Sequence, residues 1–141
     1  MQTSLEILLV DDNEGDAEMT RSALGNGNSF CRVSVANDGV EALDFLHKRG
    51  PFSDAPSARL ILLDLNMPRM DGKQFLENVK ADASLKTIPV VMFTSSQSPN
   101  DIRGCYERHA SVYVVKPFGG KEFADTVREV VHFWNDLGRL S

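Results

Sequence analysis

The sequence predicts an α/β protein with a doubly wound, five-stranded parallel sheet that carries helices on both faces. Five short apolar runs alternate with stretches of helical pattern along the 141 residues. The runs are nearly continuous Val, Ile and Leu, which is typical of strands buried on both faces. The stretches between them are long enough to form crossover helices. Such crossovers are right-handed, and the order 2-1-3-4-5, already known for doubly wound five-stranded sheets, would place the first and third strands side by side.

The first two strands and the helix between them have clear signals. Leu5 to Val10 is an uninterrupted apolar run apart from one glutamate. Glu14 to Leu24 has a helical pattern and ends in the turn-rich stretch Gly25 to Ser29. Phe30 to Ala36 alternates apolar and polar residues, which indicates an edge strand.

The second helix and the segment after it are less regular. Asp38 followed by Glu41 resembles a capping box that begins a helix, and we expect Gly50 to end this helix. Residues 49–58 then form a connection longer than the roughly 2 to 6 residues usual between a helix and a strand, which favours a solvated loop or a surface for a partner. The third strand is Leu60 to Leu63.

The second half of the chain continues the alternation. Its elements are a helix capped by Asp71, a strand from Ile88 to Thr94, a helix from Ser98-Pro99 to about His109, a strand from Val112 to Val115, and a helix from about Lys121 to Leu137. Proline at position 89 is tolerable only because it lies at the start of its strand.

Composition and charge limit the classes of function. Hydrophobic residues make up 42% of the chain and charged residues 25%, so we expect one folded domain over 1–141 with a core of about 4–137. A net charge of −5 without a Lys/Arg cluster argues against a nucleic-acid or membrane partner. Cys31 and Cys105 have no metal-ligand spacing, and no secretory signal or membrane span is present. We therefore expect two reduced thiols in the cytoplasm.

Polar residues stand at the C-terminal ends of four of the apolar runs. Asp11 and Asp12 follow the first, Asp64 the third, Thr94 the fourth and Lys116 the fifth. In a parallel sheet these ends meet in one crevice. Three neighbouring carboxylates resist ionisation unless a cation neutralises them, so the cluster predicts a divalent metal, with Lys116 as a second positive charge.

The cluster suits attack on phosphorus. An aspartate can form an acyl phosphate when cations screen the phosphoryl oxygens. Asp64 is the best candidate nucleophile because it ends the central strand. Lys116 can contact the transferred group as a point charge, and the Thr94 hydroxyl can donate a hydrogen bond to it.

The predicted metal is Mg²⁺. Asp11 and Asp12 form a pair suited to hold it directly and through water, and the backbone carbonyl of Asn66 can complete its shell. All these ligands are hard oxygens, which favours Mg²⁺ over zinc, and Mg²⁺ readily shares phosphate oxygens.

Several motifs together carry a family resemblance. They are Asp11-Asp12, Asp64 followed by Met67-Pro68-x-Met70-Asp71-Gly72, Thr94-Ser95, Tyr113, and Lys116-Pro117-Phe118. In order and spacing they resemble the receiver domains of two-component response regulators, over nearly the whole chain. The resemblance implies a flavodoxin-like receiver fold and a signalling switch rather than an enzyme. It also implies that Asp64 accepts a phosphoryl group from a sensor histidine kinase or histidine phosphotransfer protein. In that family pattern Asp12, Asp64 and the Asn66 carbonyl bind Mg²⁺, and Asp11 supports the metal.

The resemblance also implies how the switch operates. Thr94 would move toward the phosphoryl group while the ring of Tyr113 turns inward. Pro117 would follow a cis peptide bond. The positions that tune the lifetime of the phosphorylated state are Asn66 and Ser96, both short and polar, so no unusually long lifetime is expected.

Two other functions fit the same fold. A flavodoxin-like FMN protein would need a phosphate-cradling loop after the first strand, where Asp11-Asp12-Asn13-Glu14 would repel phosphate. A phosphatase with an aspartyl intermediate usually needs a second acid two residues after the nucleophile, where this chain has Asn66. Both are weaker hypotheses than the phosphoacceptor.

The last helix and the long loop bear on the output. Only four residues follow the last predicted helix, so we expect the output to be contact with a downstream protein through the fourth helix, fifth strand and fifth helix. Trp134 fits the buried stripe of the last helix, whereas Phe133 lies about 100° away and faces outward, which suggests a homodimer or partner contact. The 49–58 loop and the Phe-Trp pair resemble stand-alone receivers that serve phytochrome-type kinases.

Overall fold

A computed structural model describes residues 5–25 and 31–140, with side chains to residue 136. The strands in these ranges are β1 (Leu5–Val10), β2 (Cys31–Ala36), β3 (Leu60–Leu63), β4 (Val90–Thr94) and β5 (Val112–Val115). The α-helices are α1 (Glu14–Leu24), α2 (Gly39–Leu46), α3 (Gly72–Ala81), α4 (Pro99–Glu107) and α5 (Gly120–Leu140). Strand and helix alternate as the apolar pattern predicts.

The sheet has the predicted order, β2-β1-β3-β4-β5, and every neighbouring pair is parallel. The register places Val10, the last residue of β1, opposite both Ala36 and Leu63. Thr94 at the end of β4 lies opposite Val115 at the end of β5. The carboxyl ends of the strands therefore meet along one edge of the sheet, as the predicted site requires.

Each face of the sheet has its own apolar core, because successive strand residues point to opposite faces. One core joins β1, β3 and β4 to α2, α3 and α4 through Leu8, Val10, Ile61, Leu63, Phe75 and Leu76. The other joins the sheet to α1 and α5 through Ile7, Leu9, Leu60, Leu62, Phe123 and Val127. Since both faces are covered, the central strands are held rigidly, and so are the backbones of the residues that directly follow them.

The helix caps predicted at Asp38, Asp71 and Ser98 are confirmed, although Asp38 acts as a simple cap and not in the expected capping box. The side chain of Asp38 accepts a hydrogen bond from the Glu41 N–H at 2.9 Å, and Asp71 forms a full capping box with Gln74 at the start of α3. Ser98 caps α4, with proline at the first helical position. These caps satisfy backbone N–H groups that have no partner inside the helix.

The segment after α2 differs from the prediction. The helix ends at Leu46 rather than at Gly50, because Lys48 adopts a left-handed backbone conformation with φ 56°. Gly50 begins a short 3₁₀ turn instead, Gly50–Phe52. The Phe52 ring packs edge-on against Phe45 at 5.6 Å between centroids, so part of the predicted solvated loop is anchored to the core.

Other boundaries differ by small amounts. The second strand begins at Cys31 in the structure, and Phe30 lies outside the described residues, as do residues 26–29 of the predicted turn. α5 begins one residue before its predicted start and continues to Leu140. None of the helices in the described ranges is long and apolar enough to cross a bilayer.

Candidate functional site

The site residues continue the sheet ladder by one position beyond the strands. The backbone N–H of Asp11 donates to the Ala36 carbonyl and that of Asp64 to the Val10 carbonyl, both at 3.0 Å. The Lys116 N–H donates to the Thr94 carbonyl at 2.8 Å. Because hydrogen bonds to the neighbouring strands fix the backbones of these three residues, the positions of their Cα and Cβ atoms are fixed as well.

The structure brings the three predicted acids together. Asp11, Asp12 and Asp64 each offer a carboxylate oxygen, and these oxygens lie within 4.8 Å of one another. Asp11 and Asp64 are only 2% and 9% exposed, whereas Asp12 is open to solvent. Burial raises the pKa of Asp11, while hydrogen bonds from Lys116 and the Asn13 N–H oppose that rise. Three hard oxygen donors with one open side fit a divalent cation such as Mg²⁺.

Lys116 lies among these acids with its ammonium group almost fully buried. It donates to Asp11 Oδ2 at 2.8 Å and to Asp64 Oδ2 at 3.1 Å. A third hydrogen bond, to Asp16 Oδ2, is also 2.8 Å. Burial opposes the charged form, but the hydrogen bonds and negative charges of these acids more than offset it, so the pKa of Lys116 is raised. The ammonium is therefore a fixed positive charge beside Asp64, as predicted.

Asp16 is a site residue that the sequence reasoning missed. It lies in the first turn of α1, where its N–H donates to the side chain of Asn13, the helix cap. An acid in a first helical turn is common because it is favoured by the helix dipole, so by itself it does not indicate a site. The available signal was its spacing. Asp16 follows Asp12 by four residues, and α1 begins at Glu14, only a short loop after the end of β1, so the first turn of α1 lies near the strand-end acids.

Thr94 and Tyr113 are linked through the loop between β4 and α4. Thr94 is fully buried at the end of β4, and its Oγ1 accepts a long hydrogen bond of 3.5 Å from the Ser96 N–H. Tyr113 is half-buried on β5, and its hydroxyl donates to the Ser96 carbonyl at 2.9 Å. Both residues of the predicted switch therefore contact Ser96.

Ser96 also joins a polar network that the sequence did not indicate. Its hydroxyl donates to Asp101 Oδ2 at 2.6 Å, and Lys73 Nζ donates to Asp101 Oδ1 at 2.8 Å. The hydrogen bonds from Lys73 and Ser96 lower the pKa of Asp101. The network connects the β4–α4 loop to the first turn of α3.

The predicted cis bond before Pro117 is wrong for this structure. Every peptide bond among the described residues is trans, the one between Lys116 and Pro117 included. The trans form is intrinsically favoured by about 0.5–1 kcal/mol before proline. With this bond trans, Lys116 still contacts Asp11 and Asp64, so the site's geometry does not require the cis form.

The loop after β3 brings α3 close to the acids. Asn66 is exposed in this loop, two residues beyond Asp64. The Gly72 N–H donates to the Leu65 carbonyl at 2.7 Å, and a Cβ on Gly72 would lie 2.4 Å from the Asp64 carbonyl oxygen. The Asp71-Gly72 pair thus caps the helix and permits this close approach.

A parallel sheet of order 2-1-3-4-5 with an acid cluster, a lysine and a threonine at its carboxyl edge defines a receiver-type signalling domain. The family model described as the response regulator receiver domain matches residues 7–128. The chain therefore belongs to the response regulator receiver domain family. Members of this family are signalling switches rather than enzymes, and nothing in the comparisons favours an FMN-binding protein or a phosphatase.

The similar proteins cover nearly the whole chain. Response regulator Rcp1 of Synechocystis sp. is 34% identical over 128 residues, which cover 91% of this chain and 87% of that protein. The structure of the phosphorylated cyanobacterial phytochrome response regulator RcpA is 35% identical, with a TM-score of 0.89 and 94% coverage of both chains. The Mn²⁺-bound form of Rcp1 is 34% identical, with a TM-score of 0.84 and coverage of 92% and 93%. The last of these relatives was solved with a divalent cation.

Proposed function

We propose that Asp64 is the phosphoacceptor of a signalling switch and that its donor is the phosphohistidine of a sensor kinase or phosphotransfer protein. The gathering of Asp11, Asp12 and Asp64 around the buried ammonium of Lys116 carries this proposal. A carboxylate oxygen of Asp64 attacks phosphorus, and the new O–P bond replaces the N–P bond of the donor. The donor nitrogen keeps the electron pair and, after taking up a proton, leaves as neutral imidazole.

The other residues of the site have supporting roles in this proposal. Lys116 donates a hydrogen bond to a phosphoryl oxygen, and Thr94 supplies a hydroxyl from the neighbouring strand end. Asp11, Asp12 and Asp64, with the backbone carbonyl of Asn66, would hold Mg²⁺. When bound, the cation supplies positive charge toward the phosphoryl oxygens. The chemistry of the donor set and the Mn²⁺-bound relative support this assignment.

We propose that Thr94 and Tyr113 transmit phosphorylation to the surface. Thr94 moves toward the phosphoryl group, and Tyr113 turns inward. Their shared contacts with Ser96 support this coupling, because motion of the β4–α4 loop must alter the Tyr113 hydrogen bond. Asn66 is exposed and Ser96 half-buried, and both are short, so neither shields Asp64 strongly and the phosphorylated state is not unusually long-lived.

The output is proposed to be protein contact through α4, β5 and α5. Phe118 is 96% exposed at the start of this face, and Phe133 on α5 is 56% exposed and stacked edge-on against Trp134. Exposed aromatics of this kind favour a downstream protein or a homodimer. Sedimentation of the wild type and Phe133→Ala over a range of concentrations tests the homodimer, and a wild type that stays monomeric throughout would exclude it.

The domain bounds, the cellular compartment and the kinase partner of the switch are also proposals. We infer one receiver domain over 1–141, with its core in about 4–137, acting in the cytoplasm, where the free and buried thiols Cys31 and Cys105 stay reduced. The likeness to RcpA, a phytochrome response regulator, supports a phytochrome-type kinase as the donor. A comparison of phosphoryl transfer from several purified kinases tests this, and faster transfer from an unrelated kinase would contradict it.

The phosphoacceptor is tested with a small phosphodonor such as acetyl phosphate and Mg²⁺, followed by intact-mass measurement. The wild type should gain one phosphoryl group, and Asp64→Asn should gain none. Asp54→Asn is the matched control, because Asp54 is an exposed acid in the connection before β3 and outside the acid cluster, and this variant should behave as wild type. An adduct that persists at full yield in Asp64→Asn would refute the assignment.

A further inference from the structure

We infer that Asp16 is a positioning residue for Lys116, holding the ammonium at the acid cluster when a cation engages the other acids. This inference rests on the proposed function, because it explains what holds Lys116 in place for its proposed role in phosphoryl transfer. Asp16 Oδ2 accepts from Lys116 Nζ at 2.8 Å, although the two residues are 100 positions apart in sequence.

The three donors of the ammonium group are fully used. A lysine ammonium has three N–H donors and no acceptor. In this structure they are taken by Asp11 at 2.8 Å, Asp16 at 2.8 Å and Asp64 at 3.1 Å. The bond to Asp16 is as short as that to Asp11 and shorter than that to Asp64, so Asp16 is a main partner of Lys116.

Asp16 differs from the other two partners in its surroundings. Asp11 and Asp64 belong to the acid cluster whose oxygens lie within 4.8 Å of one another, and Asp16 is not a member of that cluster. A divalent cation bound by Asp11 and Asp64 would compete with Lys116 for their negative charge. Asp16 is then the acid whose interaction with Lys116 does not depend on the cation.

The backbone of Asp16 is held firmly, which makes it suitable for positioning. Its N–H donates to the Asn13 side chain at 2.9 Å, and its carbonyl accepts from the Thr20 hydroxyl at 2.9 Å. Thr20 is almost fully buried. The helix dipole also favours an acid in the first turn of α1. The carboxylate thus lies on a rigid element, next to a lysine that comes from the opposite end of the chain.

Two readouts separate positioning from a general structural role. The first is the Lys116 ammonium itself, observed by ¹⁵N NMR in the full-length protein before and after Mg²⁺ is added. A buried, hydrogen-bonded ammonium exchanges its protons slowly, and we expect its signal in the wild type. Once Mg²⁺ is present, Asp16→Ala should lose the signal to fast exchange, while Asp16→Asn should retain part of it, since the amide oxygen still accepts a hydrogen bond.

The second readout is the rate of phosphoryl uptake from acetyl phosphate with Mg²⁺. Asp16→Ala should be slower by about tenfold, the order expected for loss of one charge-assisted hydrogen bond. The matched control is Glu18→Gln, which removes one negative charge from the exposed face of the same helix and should keep the wild-type rate. In a Lys116→Met background, Asp16→Ala should cause no further loss, because its effect acts through Lys116.

The outcomes distinguish this inference from the proposed function. A wild type that takes up no phosphoryl group defeats the proposed function, while the NMR comparison still tests the contact. If the wild type is phosphorylated but Asp16→Ala matches or exceeds its rate, the inference is overturned. A Lys116 signal that Asp16→Ala leaves unchanged in the presence of Mg²⁺, or additive losses with Lys116→Met, would overturn it as well. If Lys116→Met does not fold, the NMR and single-variant rates decide.

Discussion

A single glycine sets how closely α3 approaches Asp64, the proposed phosphoacceptor. A Cβ on Gly72 would lie 2.4 Å from the Asp64 carbonyl oxygen and 2.8 Å from the Leu65 Cα, and both are backbone atoms that cannot turn aside. We therefore predict that Gly72→Ala lowers the free energy of unfolding by about 1–3 kcal/mol, the usual cost of overpacking. Urea denaturation measures this loss.

Gly120 supplies the control for that substitution. A Cβ there meets nothing within 4 Å, and the residue begins α5. Gly120→Ala should change the free energy of unfolding by no more than about 1 kcal/mol, with helix propensity favouring alanine. Equal losses in the two variants would show that the close approach at Gly72 is not what matters.

Asp38 predicts a pH-dependent contribution to stability. Its Oδ1 caps α2, and its Oδ2 accepts from Arg69 Nε at 2.8 Å. Burial acts to raise the pKa of Asp38, but the Glu41 N–H and the Arg69 guanidinium outweigh it, so the pKa is lowered. A carboxyl with a lower pKa in the folded state stabilises the protein above its unfolded pKa, and that stabilisation is lost as the pH falls below about 4.

Asp38→Asn separates the ion pair from the cap. Asparagine caps a helix as well as aspartate does, so only the charge interaction is removed. Because Arg69 is largely exposed, we expect a loss of about 0.5–1 kcal/mol at neutral pH that disappears in acid. Urea denaturation across the pH range checks this, and a loss that is the same at every pH would contradict it.

The predicted and missed site residues differ in how they reach the site. Asp11, Asp64 and Lys116 directly follow apolar strands, so the sheet order alone brings them together. Asp16 and Asp101 reach their partners from helices, and the direction of a side chain in a first helical turn depends on where that helix starts and how it packs. A search for polar residues directly after apolar strands therefore does not find Asp16 or Asp101. The peptide bond before Pro117 shows a different limit. The family resemblance implies a cis bond there, but the sequence itself does not specify the isomer, and the bond is trans.

The β4–α4 loop is the element that connects the buried site to the surface. The Tyr113 hydroxyl donates to the Ser96 carbonyl at 2.9 Å, from a half-buried ring. We predict that Tyr113→Phe lowers the free energy of unfolding by about 0.5–1.5 kcal/mol, since the ring keeps its packing and only the hydrogen bond is lost. Chemical denaturation of both proteins gives the difference.

Tyr106→Phe is the comparison for this element. The Tyr106 hydroxyl accepts a hydrogen bond from the Tyr113 N–H at 3.0 Å, but Tyr106 is exposed, so water can take its place. The loss should be smaller than that of Tyr113→Phe. If Tyr106→Phe is the more damaging of the two, the Tyr113–Ser96 contact does not anchor the loop.

The bounds of a strand were predicted best where polar residues flank its apolar run. The bounds of β1, β3 and β5 match their predicted runs to the residue, because a polar residue stands directly before and directly after each run. The end of α2 was missed, since it depends on a left-handed lysine that no composition rule anticipates. The 49–58 segment was expected to be solvated, yet Phe52 anchors it, because one aromatic residue near a core is enough to fix a loop.

For the molecule as a whole, folding concentrates negative charge at one edge of the sheet. The chain carries a net charge of −5, and the native state places Asp11, Asp12 and Asp64 within 4.8 Å of one another, which the unfolded chain does not. A divalent cation that binds this cluster stabilises the native state only, by about 2.7 kcal/mol at a hundred times its dissociation constant. We therefore predict that Mg²⁺ or Mn²⁺ raises the midpoint of thermal unfolding by a few degrees.

Asp12→Asn identifies the source of that shift. Asp12 is exposed, and its removal relieves repulsion with the other two acids, so without a divalent cation the variant should be as stable as the wild type or more stable. The stabilisation by Mg²⁺ should be largely lost, because one of the three proposed carboxylate ligands is gone. Asp54→Asn should respond to Mg²⁺ as the wild type does, and sodium chloride at equal ionic strength should not reproduce the shift. A full Mg²⁺ response in Asp12→Asn would place the cation elsewhere and remove the electrostatic basis for phosphoryl transfer to Asp64.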